Sequence, residues 1–214
     1  MPPTNEISWP SHNGGCDIIR DRGGIMKNET AFEMSASQVR FGPGVTREVG
    51  MDVADLGARG ALVLTDPRLS RMSPVLTVLQ SLEDHGIPFT LYDRVRIEPT
   101  DESFQDAIAF ARRGSYDAFV AVGGGSTIDT AKAVNLYTTY PPADFLDYVN
   151  PPIGKGLPVP GPLKPLIAVP TTAGTGSETT GVAIFGSEPH ARQDGHREPA
   201  LEAVARAAGP VEHP

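Results

Sequence analysis

The residues best placed to do chemistry in this sequence are two loops of small residues. The first is Val122-Gly123-Gly124-Gly125-Ser126-Thr127-Ile128-Asp129-Thr130-Ala131-Lys132. A glycine run between a buried strand and a helix lets backbone approach a pyrophosphate where any Cβ would clash. The helix N-terminus adds free N–H groups and positive partial charge. Ser126 and Asp129 are expected to form a capping pair that orients those donors. The glycines alone equally describe a tight strand-to-helix turn with an ordinary cap. The run is not G-x-G-x-x-G, and Gly154-Lys155 is followed by Gly156, so neither a Rossmann fingerprint nor a Walker A loop is present.

The second loop, Pro170-Thr171-Thr172-Ala173-Gly174-Thr175-Gly176-Ser177-Glu178-Thr179-Thr180, is dense in hydroxyls. Ligands in parallel sheets sit beyond the carboxyl ends of strands, so the two loops are expected to face one crevice, where hydroxyls bind phosphate or amide oxygen without adding charge. Taken alone, the loop is also an ordinary solvated Gly/Thr turn. Asp66 is a third candidate: a carboxylate at this rim accepts two hydrogen bonds from a ribose diol and repels a 2′-phosphate, favouring NAD over NADP. An Asp before Pro67 is also a common turn residue.

Other chemistry is thin. His12, His85, His190, His196 and His213 have no metal-ligand spacing. No G-x-S-x-G elbow occurs, and Glu98, Asp101 and Glu102 read as a solvated helix start. Catalytic and metal-ligating residues are therefore expected to be absent.

The elements that must hold these loops alternate. Apolar runs at Ala61–Thr65, Pro88–Tyr92, Ala118–Val122 and Leu166–Val169 read as buried strands. Between the first three lie amphipathic segments, Met72–Asp84, stopping at His85-Gly86, and Asp101–Arg112, with Phe104, Ile108 and Ala111 on one face. A further helix is expected over Thr127–Tyr137, then an ordered Pro/Gly-rich loop from Pro141 to Pro165. Ala31–Phe41 fits one or two short strands before the break at Gly42-Pro43-Gly44. The fold class is α/β, a doubly wound parallel sheet. Residues 1–30 read as an irregular N-terminal arm, 31–185 as the α/β domain, and 186–214 as an unrelated, disordered tail.

Composition sets outer bounds. A formal charge of −8 and a pI near 5.1 argue against nucleic-acid or anionic-lipid partners. No apolar run approaches the ~20 residues that span a bilayer, so no membrane partner is expected. The single cysteine, Cys16, leaves no intramolecular disulfide and fits a reducing compartment. The opening segment lacks the pattern of a secretory signal or transit peptide, and a cytoplasmic location is expected.

Both loop motifs resemble the iron-containing alcohol dehydrogenases, whose nucleotide loop has the form GGGSxxDxAK and whose second loop reads TTxGTGSE; here they are Gly123–Lys132 and Thr171–Glu178. The segments AFEMSASQVRFGPGVTREVGMD, LYDRVRIEPTD, DFLDYVNPPIGKG and LKPLIAVPTTAGTGSETTGVAIF look most like the hydroxyacid-oxoacid transhydrogenase branch. Glu98, where many relatives carry Asn, points to the same branch.

The resemblance implies a dehydroquinate synthase-like nucleotide-binding domain that uses NAD(H). Asp66 would meet the adenosine ribose, Gly124, Gly125 and Ser126 the pyrophosphate, and Asp129, Thr171, Thr172, Thr175 and Ser177 the rest of the cofactor. It implies hydride transfer from 4-hydroxybutyrate to NAD, giving succinic semialdehyde, then from NADH to 2-oxoglutarate, giving 2-hydroxyglutarate. The alternatives are an NAD-dependent alcohol or diol dehydrogenase and a non-catalytic nucleotide-binding or inert fragment. The partners implied are a hydroxyacid/oxoacid or alcohol substrate and another copy of the chain in a homo-oligomer.

The family's Fe2+ is held by an Asp and three His of a helical domain that follows, and those ligands are expected to be missing here with that domain. The likeness is expected to end near Phe185, as a shifted reading frame or premature end would leave it, so catalysis by this chain alone is not expected.

Overall fold

Alternation of apolar side chains in the first and third apolar runs builds two cores at once. The computed structural model describes residues 38–187 and 201–206. Strands β1 (Ala61–Leu64), β2 (Phe89–Tyr92), β3 (Ala118–Gly123) and β4 (Leu166–Pro170) form one parallel sheet in the order β2-β1-β3-β4. Successive strand side chains point to opposite faces. Ala61, Val63, Ala118, Val120 and Val122 join one core with Val49 and Val53 of α1 (Val49–Asp55) and Val75, Val78 and Leu82 of α2 (Ser73–Asp84). Leu62, Leu64, Phe119 and Ala121 join the other, with Phe104, Ala107, Ile108 and Ala111 of α3 (Asp101–Ala111) and Ile128, Ala131 and Val134 of α4 (Gly125–Thr139). The sheet is therefore doubly wound, as expected, and β1 and β3 are buried along their whole length.

Helix boundaries follow local chemistry. Pro74 sits in the first turn of α2, where a missing N–H costs nothing, and the helix closes at His85 before Gly86 at φ 67°. For α3, Thr100 Oγ1 accepts from Ser103 N and Ser103 Oγ accepts from Thr100 N, a reciprocal cap. The central helix α4 is buried on nearly all sides, from Thr127 to Tyr137, because β5 (Val182–Ser187) and α3 cover the faces the sheet leaves open. The Pro/Gly-rich loop includes a short 3-10 turn at Phe145–Tyr148, capped by Asp144 and Asp147. Lys155 Nζ donates to Asp147 Oδ1 at 2.6 Å across that loop.

Four features depart from the sequence reading, the first being β5, where no strand was expected. Helix α1 is new, and Gly50 explains it: its N–H donates to Ser81 Oγ at 2.8 Å, and the absence of a side chain lets α1 touch the backbone of α2. Of the strands expected over Ala31–Phe41, residues 31–37 lie outside the described residues, as does the arm over 1–30; Gln38–Phe41 carry no regular structure. Within 186–214, read as a disordered tail, β6 (Leu201–Arg206) pairs antiparallel with β5.

Candidate functional site

Because β3 and β4 are parallel neighbours, the loops that leave them emerge at the same sheet edge. Gly123 is in register with Pro170, and Thr171 N donates to Gly123 O at 3.0 Å. The glycine turn and the threonine loop are thus joined from their first residues. On the other side of β3, Thr65 at the end of β1 donates from Oγ1 to Val122 O at 2.8 Å, and this bond brings Asp66 to the same rim. The site lies where the chain winds one way from β1 to β2 and the other way from β3 to β4, the position at which open α/β sheets offer a crevice.

The three glycines are needed, but for a reason not visible in the sequence. None has a positive φ, so backbone freedom is not the cause. A Cβ on Gly123 would collide with Thr127 Oγ1 of the following turn. One on Gly124 would lie 3.2 Å from Thr172 Oγ1, and one on Gly125 would lie 3.0 Å from Ser177 Oγ and 3.3 Å from Thr175 Cβ. What lies directly above the glycines is therefore the second loop itself. The loop bends through Gly174 and Gly176, both in the left-handed region at φ 94° and 69°. Among the described residues, the N–H groups of Gly124, Gly125 and Ser126 have no acceptor, while Thr127 N and Ile128 N both return to Gly124 O. Three free donors at the head of a 15-residue helix, beside threonine and serine hydroxyls, offer the chemistry that an anionic, oxygen-rich group needs.

The expected capping pair does not form. Gly124 is the N-cap of α4 and no side chain caps it. Ser126 Oγ instead accepts from Glu98 N at 3.2 Å, and Asp129 lies a full turn into the helix. Both carboxylate oxygens of Asp129 are engaged within the protein, Oδ1 by Lys132 Nζ at 3.2 Å and Oδ2 by Ile184 N at 3.2 Å. Asp66 is nearly buried, and its Oδ1 accepts from Arg68 N at 2.8 Å and Leu69 N at 3.1 Å, so it is a turn residue as well as a rim carboxylate. Oδ2 makes no bond among the described residues.

Two contributors escaped the sequence reading. Glu98 does not belong to the helix start: it stands at φ 56°, an uncommon conformation for a residue with a side chain, and presents its N–H to Ser126. Lys132 is buried, and its ammonium donates to Asp129 Oδ1, to Thr180 Oγ1 at 3.2 Å and to Val182 O at 2.7 Å. Burial lowers its pKa, and the carboxylates of Asp129 and Glu178 oppose that shift. The opposite charges of Asp129 and Lys132, three residues apart on one helix, were the available signal.

A family model described as iron-containing alcohol dehydrogenase matches residues 36–205, most of the chain and both loops. The chain belongs to the iron-containing alcohol dehydrogenase family. The match runs past Phe185, where the likeness was expected to stop. The chain is 64% identical over 162 residues to a protein of Xenopus tropicalis named hydroxyacid-oxoacid transhydrogenase, mitochondrial, an alignment covering 76% of this chain and 35% of that one. The Homo sapiens protein of the same name is 63% identical over 158 residues, covering 74% and 34%. The chain thus spans about a third of the length of these relatives. Among solved structures, an alcohol dehydrogenase from Oenococcus oeni superposes with a TM-score of 0.66 at 30% identity, over 81% of this chain and 42% of that one. The expectation of a cytoplasmic protein is overturned, since both transhydrogenase relatives are named as mitochondrial.

Among the described residues no group of three or more His, Cys, Asp or Glu could hold a metal ion, so these residues do not fit an iron centre. No helix among them is long and apolar enough to cross a membrane.

Proposed function

We propose that this chain is the NAD(H)-binding portion of a hydroxyacid-oxoacid transhydrogenase. The reading rests on one observation above others: the free N–H groups of Gly124, Gly125 and Ser126 lie beneath a hydroxyl-rich loop that packs on the same glycines. The three N–H groups would bind the pyrophosphate, whose charge the α4 N-terminus stabilises by about 0.3–1 kcal/mol or somewhat more where solvent is excluded. Thr171, Thr172, Thr175 and Ser177 would supply hydroxyls to the nicotinamide side, and Asp66 Oδ2 would accept from the adenosine ribose. Asp129 would act through the frame and not by contact.

When bound, the nicotinamide supplies a carbon that accepts hydride from one substrate and returns it to the next. This chain's residues bind and orient the dinucleotide. A hydroxyacid and an oxoacid as the substrate pair, which would be 4-hydroxybutyrate and 2-oxoglutarate, is favoured over an alcohol by identities of 64% and 63% with proteins named hydroxyacid-oxoacid transhydrogenase, against 30% with the Oenococcus oeni alcohol dehydrogenase. A mitochondrial location belongs to the same proposal, and cell fractionation tests it.

The deciding experiment is calorimetric titration of the purified chain with NADH, alongside Asp66→Ala and Gly125→Val. Saturable binding that both substitutions weaken is expected. A chain that folds and takes up no NADH would end the cofactor reading.

A further inference from the structure

The threonine loop is fixed at its entry by the sheet, through Gly123 O and Thr171 N, but nothing in the sheet fixes its exit. There the chain passes Thr180 and turns into β5, which is not part of the parallel sheet. Every side-chain bond recorded between this exit and α4 involves two residues. Lys132 Nζ takes Thr180 Oγ1 and Val182 O, and Asp129 Oδ2 takes Ile184 N. The ammonium's third donor closes the pair on Asp129 Oδ1. An ammonium has three donors, and all are used. Both side chains are buried, at 6% and 9% relative exposure, and the bond between them is shielded from water, while those to Thr180, Val182 and Ile184 are partly buried.

Bonds inside the loop are local. Thr179 N and Oγ1 return to Gly176 O, and Ser177 N reaches Thr175 Oγ1 at a long 3.4 Å. With two left-handed glycines in its span, the loop has little of its own to keep Thr175 and Ser177 pressed on Gly125.

We infer that Asp129 and Lys132 form a buried clamp that positions the threonine loop over the glycine turn, making Lys132 a positioning residue for the dinucleotide site. The clamp explains why a charged pair sits one turn beyond the glycines while Lys132 has no donor left for a ligand. Its consequence for cofactor affinity rests on the NAD(H) reading above; the clamp itself does not.

The test uses the full chain with the double substitution Asp129→Asn and Lys132→Met. It removes both charges together, so no buried charge is left unpaired, and the Asn carbonyl still accepts from Ile184 N. Amide hydrogen exchange over Thr175–Ile184 is expected to quicken at least tenfold, with β1 and β3 exchanging as in the wild type and the melting midpoint held. NADH affinity is expected to fall at least tenfold. Wild-type exchange across the loop would overturn the clamp, and faster exchange with unchanged NADH affinity would overturn its positioning role. If the wild-type chain binds no NADH, the cofactor reading fails, and the exchange comparison still decides the clamp.

Discussion

Substituting Gly125 by Ala probes the contact on which the site depends, and its size can be worked from distances. Carbon atoms in good contact sit about 3.5–4.0 Å apart. A methyl on Gly125 would lie 3.3 Å from Thr175 Cβ and 3.0 Å from Ser177 Oγ, so the loop must lift by a few tenths of an ångström. Overpacking of this kind costs about 1–3 kcal/mol, and the exposed loop, able to yield, puts the figure near the low end, about 1 kcal/mol. Against this, Ala in a helix is favoured over Gly by roughly 0.5–1 kcal/mol. The net change in stability is therefore small, and a single melting curve would hide the clash.

A double-mutant cycle with Ser177→Ala separates the two effects. The helix preference is common to both backgrounds and cancels, while loss of Ser177 Oγ removes the nearest atom and no recorded hydrogen bond. Because the contact with Thr175 Cβ remains, urea unfolding should give a coupling of about 0.5–1 kcal/mol, with Gly125→Ala better tolerated in the Ser177→Ala background than in the wild type. In a chain of this size, about 1 kcal/mol corresponds to about 2–4 °C in melting midpoint. A coupling below about 0.5 kcal/mol, the usual limit of additivity for distant sites, would mean that the loop does not rest on the glycine turn.

Three further outcomes follow from packing and charge. Gly50→Ala drives a Cβ into the Ser81 carbonyl, a backbone atom that cannot swing aside, and should cost about 3 kcal/mol in urea unfolding; wild-type stability would show that α1 and α2 do not cross there. Lys132→Met alone leaves the buried Asp129 carboxylate without its cation and should cost about 3–5 kcal/mol, most of it recovered on adding Asp129→Asn; a milder single than double substitution would contradict the buried pair. Asp147 is held below its ordinary carboxyl pKa, first by the Lys155 ammonium and then by the backbone N–H of Asp144. A lowered folded-state pKa gives stability that is complete above the unfolded value near 3.8 and is lost as pH falls through the folded one. Melting midpoints of the wild type should therefore drop more steeply than those of Asp147→Asn below about pH 4, and parallel curves would count against the Lys155 contact.

The parallel α/β framework was legible in the amino acids alone, because continuous apolar runs mark strands buried on both faces and helical apolar periods mark the faces that cover them. Strands Ala61–Leu64 and Ala118–Gly123 and helices Ser73–Asp84 and Asp101–Ala111 lie within two residues of where those periods put them. The two loop motifs identified the family, since their order and composition need no coordinates. Helix α1 stayed hidden because at seven residues it carries too little period, and its position depends on Gly50 meeting a distant helix.

Which partners the site residues have within the protein became visible only in three dimensions. The glycines make room for Thr172, Thr175 and Ser177, and Asp129 binds Lys132 and β5 where a cap was expected. The physical reason is that the partners of Gly125 lie some 50 residues along the chain, as do Thr180 and Val182, which bond Lys132. A local motif specifies which groups a loop can offer; the approach of a second loop specifies which of those groups remain free.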